Sequence, residues 1–192
     1  VTISGGRTRG ALYGVYGFLE DELGLRFLTG DTDYVIPSDG IVIENLDYSY
    51  EQYFEYRCVY WWEYMKPETA SKRMLNATEH WGVETPEELG GEIGYDQDYF
   101  VHTICRLGEI ESPDGQPCFC DEELYQTVLK NVRAILEAKP DTKIISVSQM
   151  DGAGDRVPFC KCEKCREVLR EEKSHMGALL RFINRLAEEI EP

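Results

Sequence analysis

Apolar positions recur at helical spacing in three stretches of the chain. From Arg9 to Leu23, the residues Leu12, Val15, Tyr16, Leu19 and Leu23 fall on one face, and Gly24 supplies a C-terminal stop. After Asp121, a good N-cap residue, Leu124, Val128, Val132, Ile135 and Leu136 mark a second buried stripe that ends before Pro140. After Ser174, a third stripe comprises Met176, Leu179, Leu180, Ile183, Leu186 and Ile190. Between these helices lie short apolar and β-branched runs that read as strands: Val1–Ile3, Arg26–Leu28, Tyr34–Ile36, Ile41–Ile43, Arg57–Trp62, Tyr99–Arg106 and Lys143–Ser148. The last is nearly continuous in apolar and β-branched residues, as buried parallel strands are. Pro67–His80 predicts a helix or a helix plus loop, and the Gly- and acid-rich Val83–Tyr99 predicts a long loop.

The order of these elements predicts an α/β fold in two parts. Residues 1–50 read as the C-terminal part of a small α/β domain, and the acidic, Tyr-rich stretch from Leu46 to Glu55 as a linker. Residues 51–192 then alternate strand and helix three times, which argues for parallel strands with crossover helices. A closed (β/α) barrel needs eight such units and about 250 residues. The expectation is therefore a fragment: the first three or so β/α units of a TIM-like barrel. Such a piece standing alone leaves sheet edges uncovered, which predicts a dimer.

Composition narrows the partners. The chain has 192 residues, 20 Lys+Arg against 36 Asp+Glu, and a net charge of −16. A surface this acidic repels nucleic acid and anionic membranes, whereas neutral ligands such as sugars remain open. No run of about 18 apolar residues predicts a membrane span, and no signal peptide is visible, although both ends read as cut from a longer protein whose upstream part would carry one.

The seven cysteines are unevenly spread. Cys58 and Cys105 lie in apolar runs and read as small buried hydrophobes. Cys160, Cys162 and Cys165 place three sulfurs within six residues, with Cys118 and Cys120 about forty residues earlier. Four thiolates can close a structural tetrahedral zinc site with no open position. The same residues would make disulfides in an exported protein, or remain reduced or redox-active thiols. No other cofactor is expected.

In parallel α/β architectures ligands meet the C-terminal ends of the strands. There stand Trp61, Trp62, Glu63 and Tyr64; His102, Thr103 and Arg106; and Ser148, Gln149 and Asp151. Aromatic faces stack on sugar C–H faces, and amides and carboxylates bond the hydroxyls. Trp62, His102, Gln149 and Asp151 are thus candidate substrate-binding residues. Each has a structural alternative: core packing for a Trp, a satisfied structural His, and a turn at Asp151-Gly152. There is no GxSxG, P-loop, GxGxxG or HExxH. Glycosidases need two carboxylates across a cleft, and no such pair is marked, although Glu63 and Asp151 end strands.

Four segments together resemble the bacterial family catalogued as domain of unknown function 4838, which looks like a relative of family-twenty glycoside hydrolases and α-glucuronidases. They are Ile3–Glu20 with Gly24–Phe27, Gln116-Pro-Cys118 before a helix, Ser146–Asp151 followed by Cys160, Cys162 and Cys165, and Gly177–Asn184. The resemblance implies a TIM-like barrel and a carbohydrate context, with hydrolysis of O-glycosyl bonds or plain carbohydrate binding as the activity. It implies Cys118 as the fourth cysteine of the cluster, with Cys120 extra. In family-twenty enzymes the Asp-Glu pair ends the fourth barrel strand, so the resemblance places a catalytic pair outside this chain. It further implies an exported or cell-surface full-length protein. Rival expectations are a non-catalytic carbohydrate-binding surface protein, and a metal-stabilised or redox domain defined by its cysteines.

Overall fold

The computed structural model describes residues 1–6, 8–77, 83–111, 115–152 and 158–190. The chain forms two compact units, Val1–Gly94 and Tyr95–Pro192. The stretch from Leu46 to Glu55, expected as a linker, lies within the first.

In the first unit, helix α1 spans Gly10–Asp21. Its buried residue is Tyr13 rather than the expected Val15, which is exposed. Polar bonding explains the shift. The Tyr13 hydroxyl donates to the Leu75 carbonyl at 3.1 Å and accepts from the Arg57 guanidinium at 3.1 Å, so the ring is drawn inward. Gly24 then takes the left-handed conformation, φ +71°, and turns the chain into the hairpin. Strands β1 (Leu25–Phe27) and β2 (Asp33–Val35) pair antiparallel with Arg26 opposite Tyr34. Phe27 packs edge-on against Tyr16 at 5.4 Å. Val1–Ile3 and Ile41–Ile43, expected as strands, pair with nothing among the described residues.

Arg57–Trp62 is also not a strand. It is held instead by one buried side chain: Asn76 Oδ1 accepts the Arg57 N–H at 2.8 Å, and Nδ2 donates to the Glu55 carbonyl at 2.6 Å. A 3₁₀ turn, Trp62–Met65, leads into the short helix α2, Pro67–Lys72, with Pro67 in its first turn. The remainder of the expected helix to His80 lies partly outside the described residues.

The second unit is built on helices α4 (Glu122–Ala138) and α6 (Gly177–Ile190). Asp121 caps α4 as expected, accepting the Glu123 N–H at 3.0 Å. Leu124, Val128 and Val132 are buried, joined by Tyr125 and Leu129 from the adjoining rows of the same face. On α6 the buried residues are Leu179, Phe182 and Leu186, while Met176 and Leu180 are exposed. The inner face is turned toward Phe182, which packs edge-on against both Tyr125 (5.2 Å) and Phe119 (5.8 Å). Bulky edge-to-face aromatic pairs thus set the rotation of the helix.

Two expected strands differ in this unit. Tyr99–Arg106 contains the end of a 3₁₀ turn (Gln97–Tyr99), a left-handed residue (His102, φ 55°) and the short helix α3, Ile104–Leu107. The left-handed residue breaks the extended run before it can pair. Among the described residues, Lys143–Ser148 makes an isolated parallel bridge, Tyr95 to Ile144, in place of a strand pairing. Its other bonds go to the same neighbouring stretch in the same direction: Ser146 N–H to Tyr99 O at 3.0 Å, and Ile104 N–H to Ser148 O at 3.1 Å. The buried Thr103 hydroxyl bridges the run, donating to Ser146 O at 2.5 Å and accepting from Ser148 N–H at 3.2 Å. A side chain thus satisfies backbone groups that a sheet partner would otherwise meet. Helix α5, Glu163–Glu172, has no counterpart in the sequence expectation. Among the described residues, no helix is long and apolar enough to cross a membrane.

Candidate functional site

The cysteine site is assembled by backbone and amide contacts of its flanks. The buried Gln116 pairs its side-chain amide with the main chain of Met150, donating to the carbonyl at 2.8 Å and accepting the N–H at 2.9 Å. Its own N–H donates to Pro158 O at 2.8 Å. Next to it, a Cβ on Gly115 would stand 2.7 Å from that same carbonyl, so only glycine allows the approach. These contacts fasten the 115–121 turn to the two ends of the cysteine loop. Cys118 precedes α4, its carbonyl accepting the Asp121 N–H at 3.0 Å. Cys162 is the N-cap of α5, and its sulfur accepts the Cys165 N–H at 3.4 Å.

The ligand atoms of Cys118, Cys160, Cys162 and Cys165 all lie within 4.8 Å of one another. Cys118 Sγ is 3.6 Å from Cys162 Sγ and 3.7 Å from Cys165 Sγ. Zinc–sulfur bonds of about 2.3 Å in a tetrahedron set the sulfurs about 3.8 Å apart, so the four thiols fit such an ion. All seven cysteines are free thiols. Cys120 Sγ touches Cys165 Sγ at 3.4 Å but stands outside the four-sulfur group.

Their proton affinities differ with environment. The Cys165 N–H at the helix start draws the Cys162 thiol down to about 7, whereas burial pushes Cys118 up to about 12 and raises Cys165 as well. A cation would offset the desolvation that keeps the inner thiols protonated. Four thiolates fill a tetrahedral shell, so chemistry at the ion itself has no open position; the arrangement can fasten the loop to α4 and α5.

The strand-end candidates separate. His102 is exposed, and its Nδ1 donates to the Gln149 carbonyl at 3.0 Å. Because a carbonyl only accepts, this bond places a proton on Nδ1 and fixes the ring's orientation. Gln149 is half-buried, and its Oε1 is buried with no hydrogen-bond partner among the described residues. Asp151 is exposed and accepts the Gly152 N–H at 2.8 Å, with Gly152 at φ 78°, a turn geometry. Trp62 belongs to the first unit, where it opens the 3₁₀ turn and is 62% exposed. Cys105 is buried in the second unit's core, where burial raises its thiol, and Cys58 is half-buried.

Residues 28–192 match the family described as Domain of unknown function (DUF4838). The chain belongs to the DUF4838 family. No curated protein and no solved structure matches it.

Three buried polar residues position the features of this DUF4838 chain in a role that sequence reasoning did not assign: Asn76, Thr103 and Gln116. Each bonds backbone from a distant segment, and nothing local distinguishes such an Asn, Thr or Gln from a surface one. Two of them carried a signal: Gln116 opens the Gln116-Pro-Cys118 segment, and Thr103 stands beside His102 among the expected strand-end residues.

Proposed function

We propose that this chain is a zinc-stabilised, carbohydrate-binding part of a glycoside-hydrolase-like protein. The observation that carries the carbohydrate reading is His102. Its ring is exposed and held by the Gln149 carbonyl, and its Nε2 has no partner among the described residues. The remaining ring nitrogen of a fixed, exposed imidazole suits a sugar hydroxyl, which both donates and accepts, and the strongly acidic chain disfavours anionic polymers as partners. The TIM-like barrel start belongs to the same proposal, supported by the parallel Tyr95–Ile144 bridge and the same-direction bonds that follow it. Affinity electrophoresis of the purified chain against a panel of neutral polysaccharides tests the reading. His102→Ala is expected to weaken retardation by about tenfold, the loss of one to two hydrogen bonds. Unchanged retardation in that variant would remove His102 from the surface. Assay of the full-length protein on aryl glycosides separates hydrolysis from binding.

A second reading concerns the cysteines, and the sulfur–sulfur distances favour it. Cys118, Cys160, Cys162 and Cys165 would hold structural zinc as thiolates, and the ion would supply cross-linking, not catalysis. A redox role would instead leave the metal-free thiols as the working form.

A further inference from the structure

Beside the sulfur cluster lies a cavity of about 410 Å³, bordered by Cys160 and Cys165 on one side. Its apolar wall includes Phe119 and Leu169. A flat wall comes from Phe159, whose ring stacks on His175 at 4.9 Å with only 7° between the planes. Its charged lining consists of Lys161 and Arg166, and no Asp or Glu lines it among the described residues. This is unusual surroundings in a chain of net charge −16. Several basic side chains of this unit are paired with acids: Arg181 with Glu171 and Glu172, Arg185 with Glu122, Lys139 with Asp96 and Asp98. Lys161 and Arg166 make no ion pair or side-chain hydrogen bond among the described residues.

An apolar hollow with a few convergent polar groups is the usual form of a small-ligand site, and its volume lies in the range of about 300–1,000 Å³ typical of them. We propose that this cavity binds a small carboxylate-bearing molecule with a flat apolar face. The face lies against the Phe159–His175 stack, and the carboxylate meets Arg166 and Lys161. Guanidinium matches a carboxylate with two parallel hydrogen bonds, and lysine adds a point charge. The net charge of the chain opposes any anion at long range. Screening confines that repulsion to about 8–10 Å at ordinary salt, so the local cations decide binding once the ligand is seated. The site is separate from the His102 surface and stands whether or not sugars bind there.

Calorimetric titration of the purified chain with 2-naphthoate, and with the uncharged 2-naphthylmethanol as its counterpart, tests the proposal. Naphthoate is expected to bind about tenfold or more tightly than the alcohol, the worth of one charge-assisted contact. The double variant Lys161→Ala/Arg166→Ala is expected to lose that preference, whereas Phe159→Ala weakens both probes alike. Circular dichroism and bound metal, measured on each variant, confirm that the fold is intact. Equal binding of the two probes, no binding of naphthoate, or an unchanged preference in the double variant overturns the proposal. So does a double variant that sheds its metal, because the two cations would then serve to balance the sulfur cluster.

Discussion

Cys118 Sγ and Cys162 Sγ stand 3.6 Å apart although 44 residues separate them in the chain. One sulfur lies just before the start of α4 and the other caps α5, so an ion between them joins two helix starts. Protein purified without chelator is therefore expected to contain about one zinc per chain by elemental analysis. Removal of the metal with a strong chelator should lower the thermal unfolding midpoint and increase thiol reactivity. A chain with no bound metal, and no free thiols, would count for disulfides instead.

Two cysteines compete for the fourth ligand position, and their geometry separates them. Cys118 is in the group of four; the Cys120 sulfur lies 3.4 Å from Cys165 Sγ but outside that group. Cys118→Ser is expected to abolish stoichiometric zinc binding, because serine does not replace a thiolate on this ion. Cys120→Ser should retain about one zinc. The reverse result would place Cys120 in the site.

The long helices were legible in the sequence, and so were the two hairpin strands expected at Arg26–Leu28 and Tyr34–Ile36; the other extended runs were not. Helix α4 and its Asp121 cap followed from spacing alone, since a 17-residue amphipathic stripe repeats its signal several times. Strand expectations at Arg57–Trp62, Tyr99–Arg106 and Lys143–Ser148 rested on β-branched and aromatic content. Strands need partners, and here the partners are the side chains of Asn76 and Thr103. Helix α5 was hidden because it is short and strongly charged, with Cys165 as its buried residue. For the site, sulfur spacing picked out the cluster, and strand ends brought His102 and Gln149 forward together. Spacing could not foresee that Trp62 belongs to the other unit, or that Asp151 closes a turn.

Acid sensitivity should centre on the pair Glu122–Arg185. Arg185 bonds both carboxylate oxygens at 2.7 and 2.8 Å and lies over the Tyr125 ring at 3.6 Å. These bonds draw the Glu122 carboxyl from 4.5 down to about 2. A carboxyl lowered in the folded state stabilises it fully above about 4.5 and loses that contribution as pH falls toward 2. Urea midpoints measured across this window should therefore fall with pH, and more shallowly in Glu122→Gln. Both side chains are substantially exposed, so high salt should flatten the slope in the parent as well. An identical slope in parent and variant would assign the acid sensitivity elsewhere.

Phe182 is the centre of the α4–α6 contact, 3% exposed and edge-on to Phe119 and Tyr125. Truncation to alanine leaves a cavity that three surrounding elements cannot close together. The expected cost is about 3–5 kcal/mol of unfolding free energy, read from denaturant titration. Phe182→Leu keeps most of the volume and should cost less. A loss under about 1 kcal/mol for the alanine variant would show that the aromatic cluster relaxes freely.

The first unit's test falls on Asn76. The residue is 2% exposed, and it pairs backbone and side chain with one short stretch: its N–H donates to Arg57 O at 3.0 Å, its Oδ1 accepts the Arg57 N–H, and its Nδ2 donates to Glu55 O. Its own carbonyl accepts the Ile93 N–H at 3.2 Å, so a third segment depends on its position. Asn76→Ala keeps the main-chain bonds but takes from the Arg57 N–H its side-chain acceptor and from the Glu55 carbonyl its 2.6 Å donor, leaving that carbonyl the longer 3.3 Å bond from Arg57 Nη1. An N–H left without an acceptor costs about 1–3 kcal/mol when it stays buried. Asn76→Asp restores an acceptor for the Arg57 N–H but sets a carboxylate oxygen against the Glu55 carbonyl, so aspartate should rescue little. Proteolysis of the folded protein reads the local effect: both variants should be cut faster between Glu55 and Trp62 than the parent. Equal cutting in all three would mean that Asn76 does not hold this segment, and that Arg57, which also donates to the Met74 carbonyl at 2.8 Å, carries it alone.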